Sequence, residues 1–241
     1  EEICPRSLLK RVLMQASEMG CHIQAAFEYE FFVFNETAQS LRDKNYQHLE
    51  PFTPGEFGYS TIRNSVESDL YLKLLNMCEI MNFPIEGLHD ETGPGVLEAA
   101  LVYDTALASA DKAALFKTFT KILMQKQNKI ATFMAKWSVD CPGQSGHIHI
   151  SLTDNNGDPK FYDTDKEKNI SDTMRYFIGG QQKLMPELLA MIAPTVNSYR
   201  RLVPGFWAPT HASVGIDNRT CAIRIIPGSA KSHRLEYRIG A

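Results

Sequence analysis

Two glutamates interrupt the stretch AFEYEFFVF: Glu28 and Glu30 stand in a run otherwise built from aromatic and aliphatic side chains. In an extended strand, residues two apart share a face, so both carboxylates point one way and Phe27, Tyr29 and Phe31 the other. Side by side on a half-buried strand they repel each other and lose hydration, a cost that a cation offsets. Other places repeat the pattern. LHDETGPGVLEAAL separates Glu91 from Glu98 by a Gly-Pro-Gly turn, and sharing a face with Val96 and Ala100 aims Glu98 at a packed surface. GQSGHIHISL alternates His147, His149 and Ser151 with Ile148, Ile150 and Leu152, and HRLEYRIG puts Arg234, Glu236 and Arg238 on one face. Arg200, Arg201, Arg219 and Arg224 lie near the same end of the chain.

Each motif alone also fits ordinary sheet chemistry: a charged edge, a polar face, a salt-bridge ladder or a turn. Together they point further. Glutamates and a histidine on strand faces can hold two divalent ions; carboxylate oxygens suit Mg²⁺ or Mn²⁺, and an imidazole makes Mn²⁺ comfortable. Arginines aimed at the same sheet fit an anionic substrate or a triphosphate. Two metals with arginines are the parts of phosphoryl transfer.

Several elements must position these groups. Residues 5–19 read as an amphipathic helix, opened by Pro5, closed by Gly20 and striped by Leu8, Leu9, Val12, Leu13, Ala16 and Met19. Residues 35–64 form a long irregular excursion, and a helix from about Ser65 to Asn82 turns Val66, Leu70, Leu74, Met77, Cys78 and Met81 inward. Two short strands flank ETGPG, followed by a helix from about Ser109 to Lys129, a strand at 131–137 and the alternating segment His147 to Leu152. TDNNGD is a turn; helical patterns between Ser171 and Met191 are broken by Gly179–Gly180 and Pro186, and the last fifty residues read as strands joined by tight loops. Strands and helices mix without a strict βαβ rhythm, which favours an α+β fold.

Composition narrows the class. With 44% hydrophobic and 22% charged residues in 241, the chain is that of an ordinary globular protein. A net charge of −3 gives no basic footprint for nucleic acid. No apolar run reaches membrane-spanning length, and no signal peptide opens the chain. Five scattered cysteines without C-x-x-C spacing fit reduced thiols and a cytoplasmic location.

In order along residues 28–238, the chain carries an E-x-E-F-F strand and a glutamate followed by a Gly-Pro-Gly turn and another glutamate. It continues with G-x-H-x-H-x-S-L, N-S-Y-x-R-L-V-P-G, N-R-x-x-x-x-R and R-x-E-x-R. This series resembles the catalytic domain of the glutamine synthetase family. The resemblance implies that family's fold, a curved, largely antiparallel sheet flanked by helices. It implies one ion held by Glu30, Glu91 and Glu98 near the substrate glutamate, and a second held by Glu28, His147 and Glu236 at the ATP phosphates. His149 and Ser151 would contact nucleotide, Arg224 and Arg234 the ATP phosphates, and Arg201 and Arg238 the substrate glutamate, with Gly143 beside it. Arg219 would stabilise the transferred phosphoryl group.

The implied reaction joins L-glutamate to ammonia or a primary amine through γ-glutamyl phosphate at the expense of ATP. Three features depart from the family pattern. The flap, normally P-G-x-E-A-P, reads PGFWAP, so Trp207 stands in place of the glutamate; Pro142 replaces an asparagine. The 241 residues match only the middle of a family member. The resemblance therefore implies that the smaller N-terminal domain and the C-terminal tail are missing, that the isolated chain is poorly active, and that the full-length protein forms a homo-oligomeric ring. Two alternatives stay open: a non-catalytic scaffold that kept the fold, and a phosphotransferase of the guanidino kinase type.

Overall fold

The structure, a computed structural model, describes residues 2–240. Its centre is β1 (His22–Phe34), preceded by α1 (Pro5–Glu18) and followed by α2 (Ala38–Asp43), α3 (Thr61–Val66) and α4 (Ser68–Ile80). A hairpin of β2 (Ile85–Asp90) and β3 (Val96–Leu101) comes next, then the short β4 (Asp104–Thr105), α5 (Ala106–Lys126), β5 (Ile130–Thr132) and β6 (Gly146–Thr153). The chain ends with α6 (Asp172–Ile192), α7 (Val196–Arg201), β7 (Val214–Ile216), β8 (Ile223–Ile226) and β9 (Arg234–Tyr237). This is the expected α+β class.

Nine strands form one sheet in the order β2-β3-β1-β6-β9-β8-β7, with β4 and β5 also paired to β1. Every pairing is antiparallel except β7 with β8. Register decides the function of the sheet. Glu28 lies opposite Ala100 on one side and His147 on the other, and Glu30 lies opposite Glu98. Glu236 faces His149 across one ladder and Arg224 across the next. Residues directly opposite share a face, so the carboxylates, imidazoles and arginines of five separate strands converge on one side.

The other side is the core. Phe31, Leu97 and Leu101 pack with Leu70, Leu74 and Cys78 of α4 and with Phe116 and Met124 of α5. Under the second half of the sheet, Ile223, Ile225 and Leu235 pack with Met174, Ile178 and Met185 of α6. Each fully buried large side chain contributes about 1.5–3 kcal/mol, and that apolar side anchors the polar one.

Several expected boundaries shift. The stripe on α1 buries no side chain fully: Leu8, Val12 and Met19 are exposed, Leu9, Leu13 and Ala16 are half-buried, and Arg6 ties the helix to α5 through two 2.8 Å bonds to Asp111. The irregular excursion contains α2, whose Thr37 and Ser40 form a capping box. The single helix expected from Ser65 is two helices meeting at Glu67, and Val66 faces solvent rather than the core. The strand expected at 131–137 is only Ile130–Thr132. Gly179, Gly180 and Pro186 do not interrupt α6; its buried stripe against the sheet offsets the roughly 3 kcal/mol of an internal proline. The last fifty residues are not all strand and loop, because α7 starts on a Thr195–Ser198 capping box.

Candidate active site

The polar face of the sheet floors a cavity of about 650 Å³. Glu28, Glu30, Glu91, Glu98, His147 and Glu236, the expected metal set, all line it. So do Arg201, Arg219, Arg224 and Arg238, with Gly143 and Trp207. His149, Ser151 and Arg234 line a second cavity of about 260 Å³, which shares Glu28 with the first.

Around Glu28 the side chains interlock. Its Oε1 lies 2.9 Å from His147 Nδ1, and its Oε2 lies 3.2 Å from His149 Nε2. Glu236 Oε1 approaches the same His147 nitrogen at 3.3 Å. Ser145 Oγ shares a 2.6 Å hydrogen bond with His147 Nε2 and so fixes the ring. Burial opposes ionisation of Glu28, but hydrogen bonds and charge from the two imidazoles outweigh it and hold the carboxyl well below its usual range. Glu236 is buried and bonded to Arg238 and, at 3.2 Å, to Arg224 Nη1. Arg224 is steadied in turn by Asp217, 3.1 Å from its Nε.

Around Glu91 the environments of two acids diverge. Glu91 accepts from Tyr59 and from Thr92 N–H at 3.0 Å, and lies 3.3 Å from His89 Nε2. Against the opposing effect of burial, these partners keep it ionised. Glu98 has the reverse setting: burial, then the charges of Glu28, Glu30 and Glu91, push its carboxyl up to about 10. Without a cation, one proton therefore sits where carboxylates crowd. This is the signature of a site built around positive charge.

The donor sets fit divalent ions. Glu28, His149 and Glu236 offer atoms within 4.8 Å of one another, and so do His89, Glu91 and Glu98. Two carboxylates with one imidazole in each set suit Mn²⁺ or Mg²⁺. His147 Nδ1 faces the same two carboxylates as His149, so the expected histidine also aims at the first set. Glu30 is differently engaged, its Oε2 accepting from Ser145 N–H at 2.7 Å.

Arg201 is buried, and its guanidinium donates to the carbonyls of Arg238, Ile239 and Gly240 at 3.1, 3.3 and 3.1 Å. Burial, partly opposed by Glu30, lowers its pKa to about 10. Gly143 lies against it: a Cβ there would stand 2.9 Å from Arg201 Cγ and 2.6 Å from Ala135 O. Arg234 donates from Nε to His149 Nδ1 at 3.2 Å, which leaves Nε2 of that ring as the N–H facing Glu28.

Sequence reasoning missed His89 and Tyr59. His89 is two residues from Glu91 and opposite Glu98, so strand alternation carried the signal. Tyr59 stacks on His89 with ring centroids 4.9 Å apart, but it comes from an irregular segment where no period marks it.

Comparison with known proteins identifies the family. The family model described as glutamine synthetase, catalytic domain, matches residues 2–241. Type-1 glutamine synthetase 2 of Dictyostelium discoideum is 45% identical over 240 residues, covering 98% of this chain and 45% of that protein. A glutamate–isopropylamine ligase of a Pseudomonas species is 33% identical over 237 residues, covering 98% of this chain and 52% of its own. The structure of Plasmodium falciparum glutamine synthetase superposes with a TM-score of 0.85 at 26% identity, over 98% of this chain and 51% of that one. The chain spans about half the length of the curated relatives it matches. It belongs to the glutamine synthetase family.

Proposed function

We propose that the protein carrying this chain is an ATP-dependent ligase that joins L-glutamate to a primary amine through γ-glutamyl phosphate. The supporting observation is that two carboxylate–imidazole groups, Glu28 and Glu236 with His147 and Glu91 and Glu98 with His89, line one cavity with four arginines. Glu30, Glu91 and Glu98, with His89 beside them, would hold one Mg²⁺ or Mn²⁺; Glu28, His147 and Glu236 would hold another. Bound there, the ions supply positive charge against the phosphates.

The γ-carboxylate of glutamate attacks the terminal phosphorus of ATP and releases ADP. The amine then attacks the γ-carbonyl, phosphate leaves, and the amine gives up a proton. Arg219 sits exposed at the cavity and neutralises charge on the transferred phosphoryl group. Arg224, Arg234, His149 and Ser151 hold the nucleotide. Arg238 binds glutamate, and Arg201 serves it both directly and by fixing the chain at 238–240. The walls exclude water from the acyl phosphate, and in the full-length protein a homo-oligomeric ring completes them.

Trp207 decides the acceptor. An indole accepts no proton and offers a large apolar face, which suits an alkyl amine. Its backbone has φ of 60°, a left-handed conformation costing a bulky residue roughly 1–2 kcal/mol. The flap spends that strain in presenting the ring at the cavity. Ammonia is the second reading, favoured by the name of the relative that is 45% identical. The full-length protein, assayed with glutamate and ATP, should show higher kcat/KM for methylamine and ethanolamine than for ammonium. Trp207→Glu should move that ratio about tenfold towards ammonium. A clear preference for ammonium that Trp207→Glu leaves unmoved defeats the assignment.

A further inference from the structure

The flap that carries Trp207 is gripped at one point. Its ends are packed, Leu202 half-buried and Pro209 buried, whereas Pro204, Gly205 and Trp207 are exposed. Among the described residues, no backbone–backbone hydrogen bond involves residues 204–210. Gly205 and Trp207, with φ of 95° and 60°, give the tip its turn, which sets its shape but not its place. Within 204–207 it is Phe206 that is half-buried. Its ring lies under the ammonium of Lys136, with Nζ 3.9 Å from the centroid.

Lys136 is itself firmly placed. It is 5% exposed, and none of the ion pairs among the described residues involves it. For a buried ammonium without a carboxylate, the negative face of a ring is the available offset, and that attraction grows as water is excluded. Lys136 N–H donates to Asn197 Oδ1 at 2.9 Å, and Asn197 Nδ2 donates to Lys136 O at 2.7 Å. Asn197 belongs to α7, the helix from which the flap departs. Flap and lysine thus hang from the same helix, and the contact at Phe206 closes the circuit. Phe206 lines the larger cavity, and Lys136 is not among its lining residues, so the lysine acts on the ring and not on a bound ligand.

We infer that Lys136 is a positioning residue of the flap: its ammonium on the Phe206 ring holds residues 204–207 at the cavity, keeping water from the γ-glutamyl phosphate until the amine attacks. Without that grip, water attacks the γ-carbonyl and phosphate leaves, so glutamate is re-formed and ATP is hydrolysed with no amide made. The inference rests on the ligase reading above and assigns the control of its side reaction.

The test uses the full-length protein with glutamate, ATP, Mg²⁺ and the best acceptor among methylamine, ethanolamine and ammonium, reading γ-glutamyl amide and ADP in the same sample. The unaltered protein should form about one amide per ADP. Lys136→Met keeps the side chain's length and removes its charge; it should lower that ratio about fivefold while leaving the rate of ADP release nearly unchanged. Lys136→Arg should restore most of the ratio, because a guanidinium also binds a ring face. Phe206→Leu should match Lys136→Met, and the double variant should be no worse than either, since all three lose one contact. Chymotrypsin gives a readout independent of turnover. Cleavage after Trp207 should be about fivefold faster in both single variants, with cleavage after the exposed Phe57 unchanged. If either readout in both single variants equals that of the unaltered protein, the inference falls and the ligase reading stands. Losses that multiply in the double variant overturn it as well, because the two residues then act separately. If the unaltered protein forms no amide from any of the three amines, both fall.

Discussion

Glu98 is the residue in which the site's electrostatics concentrate. Burial and three neighbouring carboxylates push its pKa from an ordinary 4.5 up to about 10. The folded, metal-free protein holds a proton there that the unfolded chain gives up. Its contribution to stability is therefore fully present below about pH 4.5 and is lost as the pH rises towards about 10. Glu98→Gln removes the titration. In chelator, this variant should be more stable than the parent by on the order of 1–3 kcal/mol at pH 8, with a flatter stability–pH profile. With Mn²⁺ present the order should reverse, because a ligand is gone. Denaturant melts at pH 5 and pH 8, with and without metal, check both signs. Equal stability of parent and variant at pH 8 in chelator would show that Glu98 carries no such burden.

At the scale of elements, the strands were legible and the helices less so. Alternation put Glu28 with Glu30, His147 with His149, and Arg234 with Glu236 and Arg238, because a strand has only two faces and a core claims one of them. Helix limits depended on packing that no local pattern contains. Buried Met174, Ile178 and Met185 carry α6 through Pro186, whereas the apolar stripe on α1 is only partly buried, at Leu9, Leu13 and Ala16. Tyr59 comes from a segment without periodicity and reaches the cavity only because the chain is pinned at Asp90. The metal sets were legible as residue types, but His89 entered only with the register of β2 on β3. The approach to β9 adds a test. His233 is buried edge-on against Tyr162, ring centroids 5.7 Å apart, and neither ring nitrogen has a partner among the described residues. Burial lowers its pKa below an ordinary 6.5. The unfolded chain takes up a proton that the fold refuses, so stability falls as the pH drops below about 6.5. Between pH 7.5 and 5.5 the melting temperature should fall more steeply for the parent than for His233→Leu; parallel profiles would remove His233 from the account.

For the whole molecule, binding and folding are one equilibrium. Carboxylates gathered on one sheet face weaken the metal-free fold, and ions that bind only the folded form add stability by mass action, about 2.7 kcal/mol at a hundred times Kd. For a domain of this size, that corresponds to a rise of about 5–10 °C in melting temperature. Millimolar Mn²⁺ should produce it, and Glu98→Ala should reduce it. An unchanged melting temperature, with no heat of binding by calorimetry, would end the two-ion reading. Among the described residues no helix is long and apolar enough to cross a membrane, and all five cysteines are free. The long central strand has one more consequence. β1 carries Glu28 and Glu30 two residues apart, a step of about 6.6–6.8 Å, and it is hydrogen-bonded along both edges. It acts as a gauge block, a length standard clamped on two sides that cannot stretch to suit its contents. Because Glu28 and Glu30 would serve different ions, that step sets the separation of the two ion sites, and the backbone rather than either ion decides how far apart they stand.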